Sequence, residues 1–525
     1  MDPPPPRLPL SLPYVALQPS LPHVLGDIAH PDSSVATEHA WLSVYRDAES
    51  AHARLRVSEG DADGSVDVDV VEGQDRVTLD MLSISEFVVS CPSLSLPPTV
   101  ALLPSPHLNP LTSSSSRAAR NPTTQESPAP SFLSTAPRAV DSFALSPDGK
   151  RVVLAGRDGQ ARVVEVVQYE GGRVGKGKET ALRGHVGDLV ACEFFPSNEV
   201  IVTAASDMTI RIFSALDGSS PRVLACPPLR PTSLTLLLSP PGSNGPHKGR
   251  HFLSTSLAGT LTLWDLSLAP SSSSAPSSSS DAAAVRKWTF PHPLSSGTAF
   301  LSSPAGTDEV HAEATVDSAC AGRYALVGST HGDVRLVPLS SAPGSTEDGR
   351  IIARLPGAAK SAIDSLAVLA LSFSSSGGGR GWLVAAGARD GSVSIFRLPR
   401  AALDGAEAEL VASWRRTAGG ASVNEVRLSP RLRTGGPLAL SDDEEEQEEV
   451  SVLVAPSDGL AYRAVVAPAT GAVRVVEEFV GLDCEPATAV SEDASGRVWV
   501  AGGGADGGLR VYERGGVDAG GARGD

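Results

Sequence analysis

A short phrase of apolar strand, tight turn and second alternating strand recurs along the chain from about residue 150 onward. The first copy runs from Val152 to Ala155, turns at Asp158-Gly159 and continues from Ala161 to Val164. An Asp-Gly pair between two alternating segments is a strong hairpin signal, because both residues tolerate positive φ angles. The turns of successive copies are Asp158-Gly159, Ser206-Asp207, Ala258-Gly259, His331-Gly332, Asp390-Gly391, Asp458-Gly459 and Asp506-Gly507.

These seven β units predict a closed ring of blades. A four-stranded propeller blade takes roughly 40–45 residues, and the surplus between copies falls in Ser-, Gly- and Pro-rich stretches. Each turn would join the second and third strands of a blade. Fourth strands are expected at Arg222 to Cys226, Val285 to Phe290, Ile351 to Leu355, Leu410 to Trp414 and Val473 to Phe479. The predicted fold is therefore all-β, a seven-bladed β-propeller with a small β-rich N-terminal region.

The chain divides into four predicted segments. Residues 1–100 form the β-rich N-terminal region with a disordered extreme N-terminus, and residues 101–130 are a disordered Pro/Ser-rich linker. The propeller spans 131–515, and a disordered Gly-rich tail covers 516–525. Whether the N-terminal region folds independently stays open. Its expected strands are Ala40 to Tyr45, Ala53 to Val57, Ser65 to Val71 and Glu86 to Cys91.

Ring closure needs one more strand. After Tyr512 the chain is Gly-rich and offers no fourth strand for the seventh blade. Because a propeller must remove its exposed edges, we predict that Ser131 to Thr135, just before the first blade, supplies that strand.

The positions of the long insertions predict that one rim of the propeller carries long connections and the other carries short ones. The long stretches Gly171 to Lys178, Pro240 to Lys248, Ser271 to Ser280 and Asp442 to Glu449 all join the first and second, or the third and fourth, strands of a blade. They would share one rim, while the opposite rim keeps the short turns. The compact rim is thus the expected docking surface.

The net charge and the cysteine content limit the classes of molecule that the protein is expected to bind. The net charge of −17 argues against nucleic acid, which is bound by neutralising phosphates, and against anionic membranes. Five cysteines, with no Cys-x-x-Cys pair, argue against disulfides and zinc and favour a reducing compartment. We expect a monomer in the cytoplasm, with the nucleus as a second location. We expect no catalytic residue, metal or cofactor.

Two charged motifs have plain interpretations. Gly172 to Lys178 is similar to a phosphate-binding loop, but Glu179 replaces the required Ser or Thr and the loop lies in a predicted hairpin. The acidic run from Asp442 to Glu449 is expected to be a solvated loop, with attraction of a basic partner as the alternative.

Some residues resemble the signature of WD repeats. Gly184-His185 precedes the second copy, whose Trp-Asp position is occupied by Phe213-Ser214, and Trp264-Asp265 ends the third. The His and the turn residue Asp207 would hydrogen-bond across neighbouring loops, and the aromatic residue would fill the space between blades. The expected roles of Gly184, His185, Asp207, Phe213, Trp264 and Asp265 are structural.

A narrower resemblance rests on two stretches, Leu182 to Asp188 with Glu193 to Ser197, and Phe479 to Pro486. Both look like the proteasomal ATPase-associated factor family. That resemblance implies a non-enzymatic chaperone of proteasome regulatory-particle assembly, which binds the C-terminal domain of an ATPase subunit through acidic propeller residues.

By position, Asp483, Glu485 and Glu513 are the expected partner contacts, with ordinary loop acids as the alternative. The competing function is a generic WD-repeat adaptor in another complex, such as a ubiquitin-ligase substrate receptor. A helical F-box-like segment before the propeller would favour that function, but the N-terminal region has the pattern of strands.

Overall fold

The structure is a computed structural model. It describes residues 9–104, 139–237, 251–301, 323–355, 361–430 and 449–514, with internal gaps at 19, 30–34, 61–64, 158, 169–173, 227, 267–283, 340–349, 373–379, 404, 417–419, 482–484 and 504–507. The N-terminal elements are β1 (Leu10–Ser11), β2 (Tyr14–Leu17), α1 (Leu21–Ile28), β3 (Thr37–Arg46), β4 (Glu49–Glu59), β5 (Val66–Glu72), β6 (Thr78–Ser83), β7 (Glu86–Cys91) and β8 (Leu96–Leu102).

The remaining strands form seven antiparallel sheets, which we number as blades 1 to 7. Blades 1 to 3 are β9 (Val140–Leu145), β10 (Arg151–Gly156), β11 (Ala161–Gln168) and β12 (Val174–Leu182); β13 (Leu189–Phe194), β14 (Val200–Ala205), β15 (Thr209–Ser214) and β16 (Arg222–Ala225); and β17 (Pro231–Leu236), β18 (His251–Ser256), β19 (Thr260–Asp265) and β20 (Ala284–Thr289).

Blades 4 to 7 repeat the same up-and-down order. They are β21 (Leu294–Leu301), β22 (Arg323–Ser329), β23 (Asp333–Pro338) and β24 (Arg350–Arg354); β25 (Ile363–Ser372), β26 (Arg380–Ala388), β27 (Val393–Pro399) and β28 (Glu409–Arg415); β29 (Val423–Pro430), β30 (Val450–Pro456), β31 (Ala461–Ala467) and β32 (Ala472–Phe479); and β33 (Ala487–Glu492), β34 (Val498–Gly502) and β35 (Leu509–Tyr512). The five expected fourth strands are confirmed as β16, β20, β24, β28 and β32, and the turns do join second to third strands.

Apolar clusters between neighbouring blades hold the ring together. Trp264 lies in the cluster between blades 2 and 3, Trp414 between blades 5 and 6, and Trp499 between blades 7 and 1. Each of the seven interfaces has such a cluster, and these three indoles are 2% exposed or less. Burial of one such side chain stabilises the fold by roughly 2–3 kcal/mol. Trp264 therefore fills part of the space between blades 2 and 3.

Blades 7 and 1 meet directly. Phe143 of β9 and Trp499 of β34 share one apolar cluster, and the Thr488 hydroxyl donates a 2.6 Å hydrogen bond to the Val140 carbonyl. Within the described residues blade 7 has three strands. The predicted closing segment, residues 131–135, lies outside the described residues and stays a prediction.

The N-terminal region extends the propeller rather than standing beside it. Strand β8 runs parallel to β32, so that blade 6 continues through β8, β7 and β6 into a seven-stranded sheet. Strand β1 runs parallel to β28 of blade 5. The four expected N-terminal strands correspond to β3, β4, β5 and β7. The helix α1 was not predicted; its Leu21, Val24, Leu25 and Ile28 pack into the same core as these strands.

A buried ion pair fixes this attachment. Arg416 follows β28 and lies 2.5 Å from Glu478 of β32, with both side chains at most 6% exposed. The Arg416 guanidinium also lies over the rings of Tyr14 and Tyr462, at 5.4 and 4.2 Å from their centroids. This one pair therefore contacts blade 5, blade 6 and the N-terminal strand β2, although burial raises the pKa of Glu478 to about 7 against the opposing effect of Arg416.

The tight turns need a left-handed backbone at one position, and glycine occupies it in five of the six described turns. The φ angles are +72° at Gly159, +71° at Gly259, +80° at Gly332, +84° at Gly391 and +81° at Gly459. In blade 2 the same place holds Met208, with φ of +60°. A side chain in this region costs roughly 1–2 kcal/mol, so Met208 makes blade 2 the strained exception.

We expect Met208→Gly to stabilise the protein by about 0.5–1 kcal/mol, because glycine relieves the left-handed strain but adds freedom to the unfolded chain. Urea unfolding measures the change. Gly459→Ala is the reciprocal control and should destabilise, since a Cβ there would lie 2.3 Å from the Glu485 carbonyl oxygen. Equal or lower stability of Met208→Gly would contradict the assignment of strain.

Candidate protein-binding rim

The alternating strands divide the connections between two rims. The turns between second and third strands, and the loops from one blade to the next, share one rim, which we call the compact rim. Three of the four predicted insertions fall in the connections that join β17 to β18, β19 to β20 and β29 to β30, so these connections begin and end at the opposite rim. The predicted insertion from Gly171 to Lys178 is wrong in its bounds, because β12 begins at Val174 and pairs with β11 through that stretch.

Blade 2 keeps a hydrogen-bonded His-Asp centre on the compact rim. His185 Nδ1 lies 3.0 Å from Asp207 Oδ2, and its Nε2 lies 2.8 Å from the hydroxyl of Thr203 in β14. Asp207 also accepts bonds from the Val186 N–H at 3.0 Å and the Thr209 hydroxyl at 2.7 Å. The loop before the blade, the turn and the second strand are therefore joined by one side-chain network.

Burial decides the protonation of this centre. It lowers the pKa of His185 below its usual value against the opposing effect of Asp207. Burial also opposes the charge of Asp207, but hydrogen bonds from Thr209, Val186 and His185 outweigh it and hold that pKa below its usual value. At neutral pH a neutral imidazole thus donates from Nδ1 to the carboxylate and accepts from Thr203.

The remaining signature residues are split between blades. Phe213 takes the aromatic position of blade 2, with its ring centroid 6.2 Å from that of His185, and Gly184 adopts a φ of +142°. In blade 3, Trp264 Nε1 donates a 2.8 Å bond to Ser254. Asp265 lies 3.2 Å from the Nε2 atom of His251, and both are buried.

Ser254 and His251 were not predicted, because the mixed sequence of β18, His-Phe-Leu-Ser-Thr-Ser, does not distinguish them from its other polar residues.

Glu485 has a structural contact on the compact rim. Its side chain is 18% exposed and lies 3.7 Å from Arg510 of β35, which is 1% exposed. A Cβ at Gly502 would lie 2.9 Å from Glu485 Oε2, so the glycine makes room for the carboxylate. Glu485 therefore neutralises a buried cation as well as standing at the rim. Its expected neighbour Asp483 lies outside the described residues.

Glu513 lies at the other rim. It follows β35 and forms a 3.7 Å ion pair with Arg497 from the turn between β33 and β34, and burial raises its pKa above the usual value. The structure thus does not bring Glu485 and Glu513 together. The sequence placed both near blade 7, but strand direction separates them by the full length of β35.

No metal or membrane element is found in the part of the chain that the structure describes. No three His, Cys, Asp or Glu side chains there are grouped as metal ligands. No helix in those residues has the length and apolar character needed to cross a membrane.

Comparisons with known proteins agree with the geometry of blade 2. The family profile "WD domain, G-beta repeat" matches residues 177–214, which contain the His185–Asp207 centre. The molecule is therefore a β-propeller that carries a WD repeat. The repeat marks it as a protein-binding scaffold, in a fold that is usually non-catalytic.

The relatives cover unequal parts of the chain. The "26S proteasome regulatory subunit RPN14" of Saccharomyces cerevisiae (strain ATCC 204508 / S288c) is 40% identical over 42 residues, which is 8% of this chain and 10% of the yeast protein. The RRP9 WD40 repeats superpose with a TM-score of 0.47 and 12% identity, covering 73% of this chain and 96% of that one. U3-55K gives the same TM-score and identity and is covered to 97%.

The blade 2 centre predicts a pH dependence of stability. Since the pKa of His185 is lower folded than unfolded, the unfolded chain binds the extra proton, and His185 contributes stability that is complete above about pH 6.5 and declines on acidification below it. In His185→Gln, which cannot titrate, the fall in unfolding free energy between pH 7 and pH 5 should be shallower. Parallel pH profiles for the two proteins would contradict a buried neutral imidazole.

Proposed function

We propose that this protein is a chaperone of proteasome regulatory-particle assembly and binds the C-terminal domain of a proteasomal ATPase subunit through its compact rim. The observation that carries the proposal is the 40% identity over 42 residues with the yeast proteasome regulatory subunit. This match spans a tenth of the yeast protein, so partner and activity are inferred for this chain. We further propose a location in the cytoplasm and nucleus, where proteasomes assemble.

The chemistry of the rim supports a basic partner. The turn of blade 5 presents the exposed Asp390, and the loop into blade 7 carries Glu485 and Asp483. The chain as a whole has a net charge of −17, which favours encounter with a positively charged domain. Glu513 on the opposite rim is not part of this proposed surface.

Glu485 needs a careful substitution because it faces a buried cation. We expect Glu485→Lys to destabilise the protein by about 3 kcal/mol, since Arg510 would be left buried against a like charge. Glu485→Gln keeps the shape and should cost less. Urea unfolding of both variants checks this, and a native-like midpoint for Glu485→Lys would show that the pair contributes little.

The binding test therefore uses Asp483→Lys and Glu485→Gln in the full chain, with Glu513→Gln as the control from the opposite rim. Purified C-terminal domains of the proteasomal ATPase subunits are the ligands, and affinity is measured by calorimetry. We expect one domain to bind, and Asp483→Lys to weaken it by about tenfold, more at low salt. Binding unaffected by Asp483→Lys and Glu485→Gln would remove the acidic loop from the proposal.

Affinity purification from cells tests the assembly role itself. The chain should recover ATPase subunits without core-particle subunits. Absence of every ATPase subunit, both here and with the purified domains, would reject the proteasomal function in favour of a scaffold for another complex.

A further inference from the structure

Three large apolar side chains are exposed on consecutive loops of the compact rim around blade 2. Val186, in the loop into blade 2, is 91% exposed; Met208, in the turn of blade 2, is 44% exposed; and Leu229, in the loop into blade 3, is 47% exposed. Apolar groups that cluster at one surface, with polar groups at the margin, mark interaction sites more often than isolated exposed residues do. We call these three residues the blade 2 patch.

Hydrogen bonds hold the patch in place before any partner arrives. The Val186 N–H donates to Asp207 Oδ2, the side chain that also binds His185. The Met208 carbonyl accepts from the N–H of Cys226, where the loop that carries Leu229 begins. All three side chains therefore stand on loops tied to one blade, which reduces the entropy lost on binding.

Met208 supplies an independent observation. It adopts the left-handed conformation that glycine occupies in the five other described turns, yet it presents an apolar side chain to solvent. Backbone strain retained at the surface is typical of functional positions, where the side chain contributes to binding.

The exposed charged side chains beside the blade 2 patch indicate which charges a partner would carry. Arg183 and Arg230 are exposed in the same two loops as Val186 and Leu229, and neither forms an ion pair with another described residue. Two acids also lie here: Asp188 is exposed in the loop into blade 2, and the carboxylate of Asp207 is bonded to Val186, His185 and Thr209. Arg183 and Arg230 are therefore the exposed cations beside the patch that a partner's carboxylates could reach.

We propose that the blade 2 patch docks a short amphipathic segment of a protein partner, with aliphatic side chains on Val186, Met208 and Leu229 and carboxylates beside Arg183 and Arg230. This partner is opposite in charge to the basic domain proposed for the blade 7 loop. The compact rim would thus carry two contact surfaces of different specificity, and the second does not depend on the proteasomal function.

A peptide selection tests the proposal without a known partner. The full chain is panned against a phage library of random 16-residue peptides, with Val186→Ser/Met208→Ser/Leu229→Ser as the counter-selection. Enriched peptides should combine aliphatic residues with Asp or Glu, and synthetic copies should bind the native chain. Val186→Ser or Leu229→Ser should weaken them about tenfold or more, and Arg183→Glu should weaken them most at low salt.

Leu216→Ser is the matched control, because Leu216 is 52% exposed in the turn between β15 and β16 on the opposite rim. It should bind as the native chain does. No enrichment over the counter-selected variant, or peptides that bind Val186→Ser unchanged, would overturn the docking surface. Peptides with Lys or Arg in place of acids would overturn the assigned partner charge.

Met208→Gly separates binding from folding. It should raise the urea midpoint and at the same time weaken the selected peptides about tenfold, a combination that misfolding cannot produce. A variant that is stabilised and binds peptide with unchanged affinity would remove Met208 from the surface.

Discussion

Burial of both faces of every sheet is the constraint on which this structure depends. A four-stranded antiparallel sheet with apolar residues on both faces is not stable alone, and each blade here covers its neighbours through a shared cluster such as that of Trp499 between blades 7 and 1. The ring must close for the last faces to be covered. Closure leaves the rims as the natural places for sequence variation and for binding.

The same constraint explains why the signature residues are so sparse. Packing between blades needs apolar residues of adequate volume, and Phe213 or Trp264 fill that need without the full His-Asp-Trp set. Only blade 2 combines His185 with Asp207, and Trp264 of blade 3 bonds to Ser254 instead. The WD-repeat profile correspondingly matches residues 177–214, the blade that keeps the His–Asp pair, whereas the seven sheets extend over most of the chain.

The propeller could be predicted because its turns are local. An Asp-Gly pair between alternating strands defines a hairpin within ten residues, and the count of such turns gave the number of blades. The N-terminal attachment could not be predicted, since the parallel pairing of β8 with β32 joins residues far apart in sequence. The same holds for Glu485, whose contact with Arg510 depends on how the loop into blade 7 packs against β35. Met208 was visible in the sequence as the one turn without glycine, but its strain needed the φ angle.

The two surfaces proposed for the compact rim differ in chemistry: acids lie near blades 5 to 7, and exposed apolar side chains with two arginines beside them lie at blade 2. Hydrogen–deuterium exchange on the full chain, with and without a bound proteasomal ATPase C-terminal domain, tests whether the partner binds through the compact rim. Protection should appear in the loop from Val480 to Pro486 and in the turn around Asp390, with none in the turn from Asp493 to Arg497 on the opposite rim. Protection confined to the opposite rim, or to the N-terminal strands, would contradict binding through the compact rim.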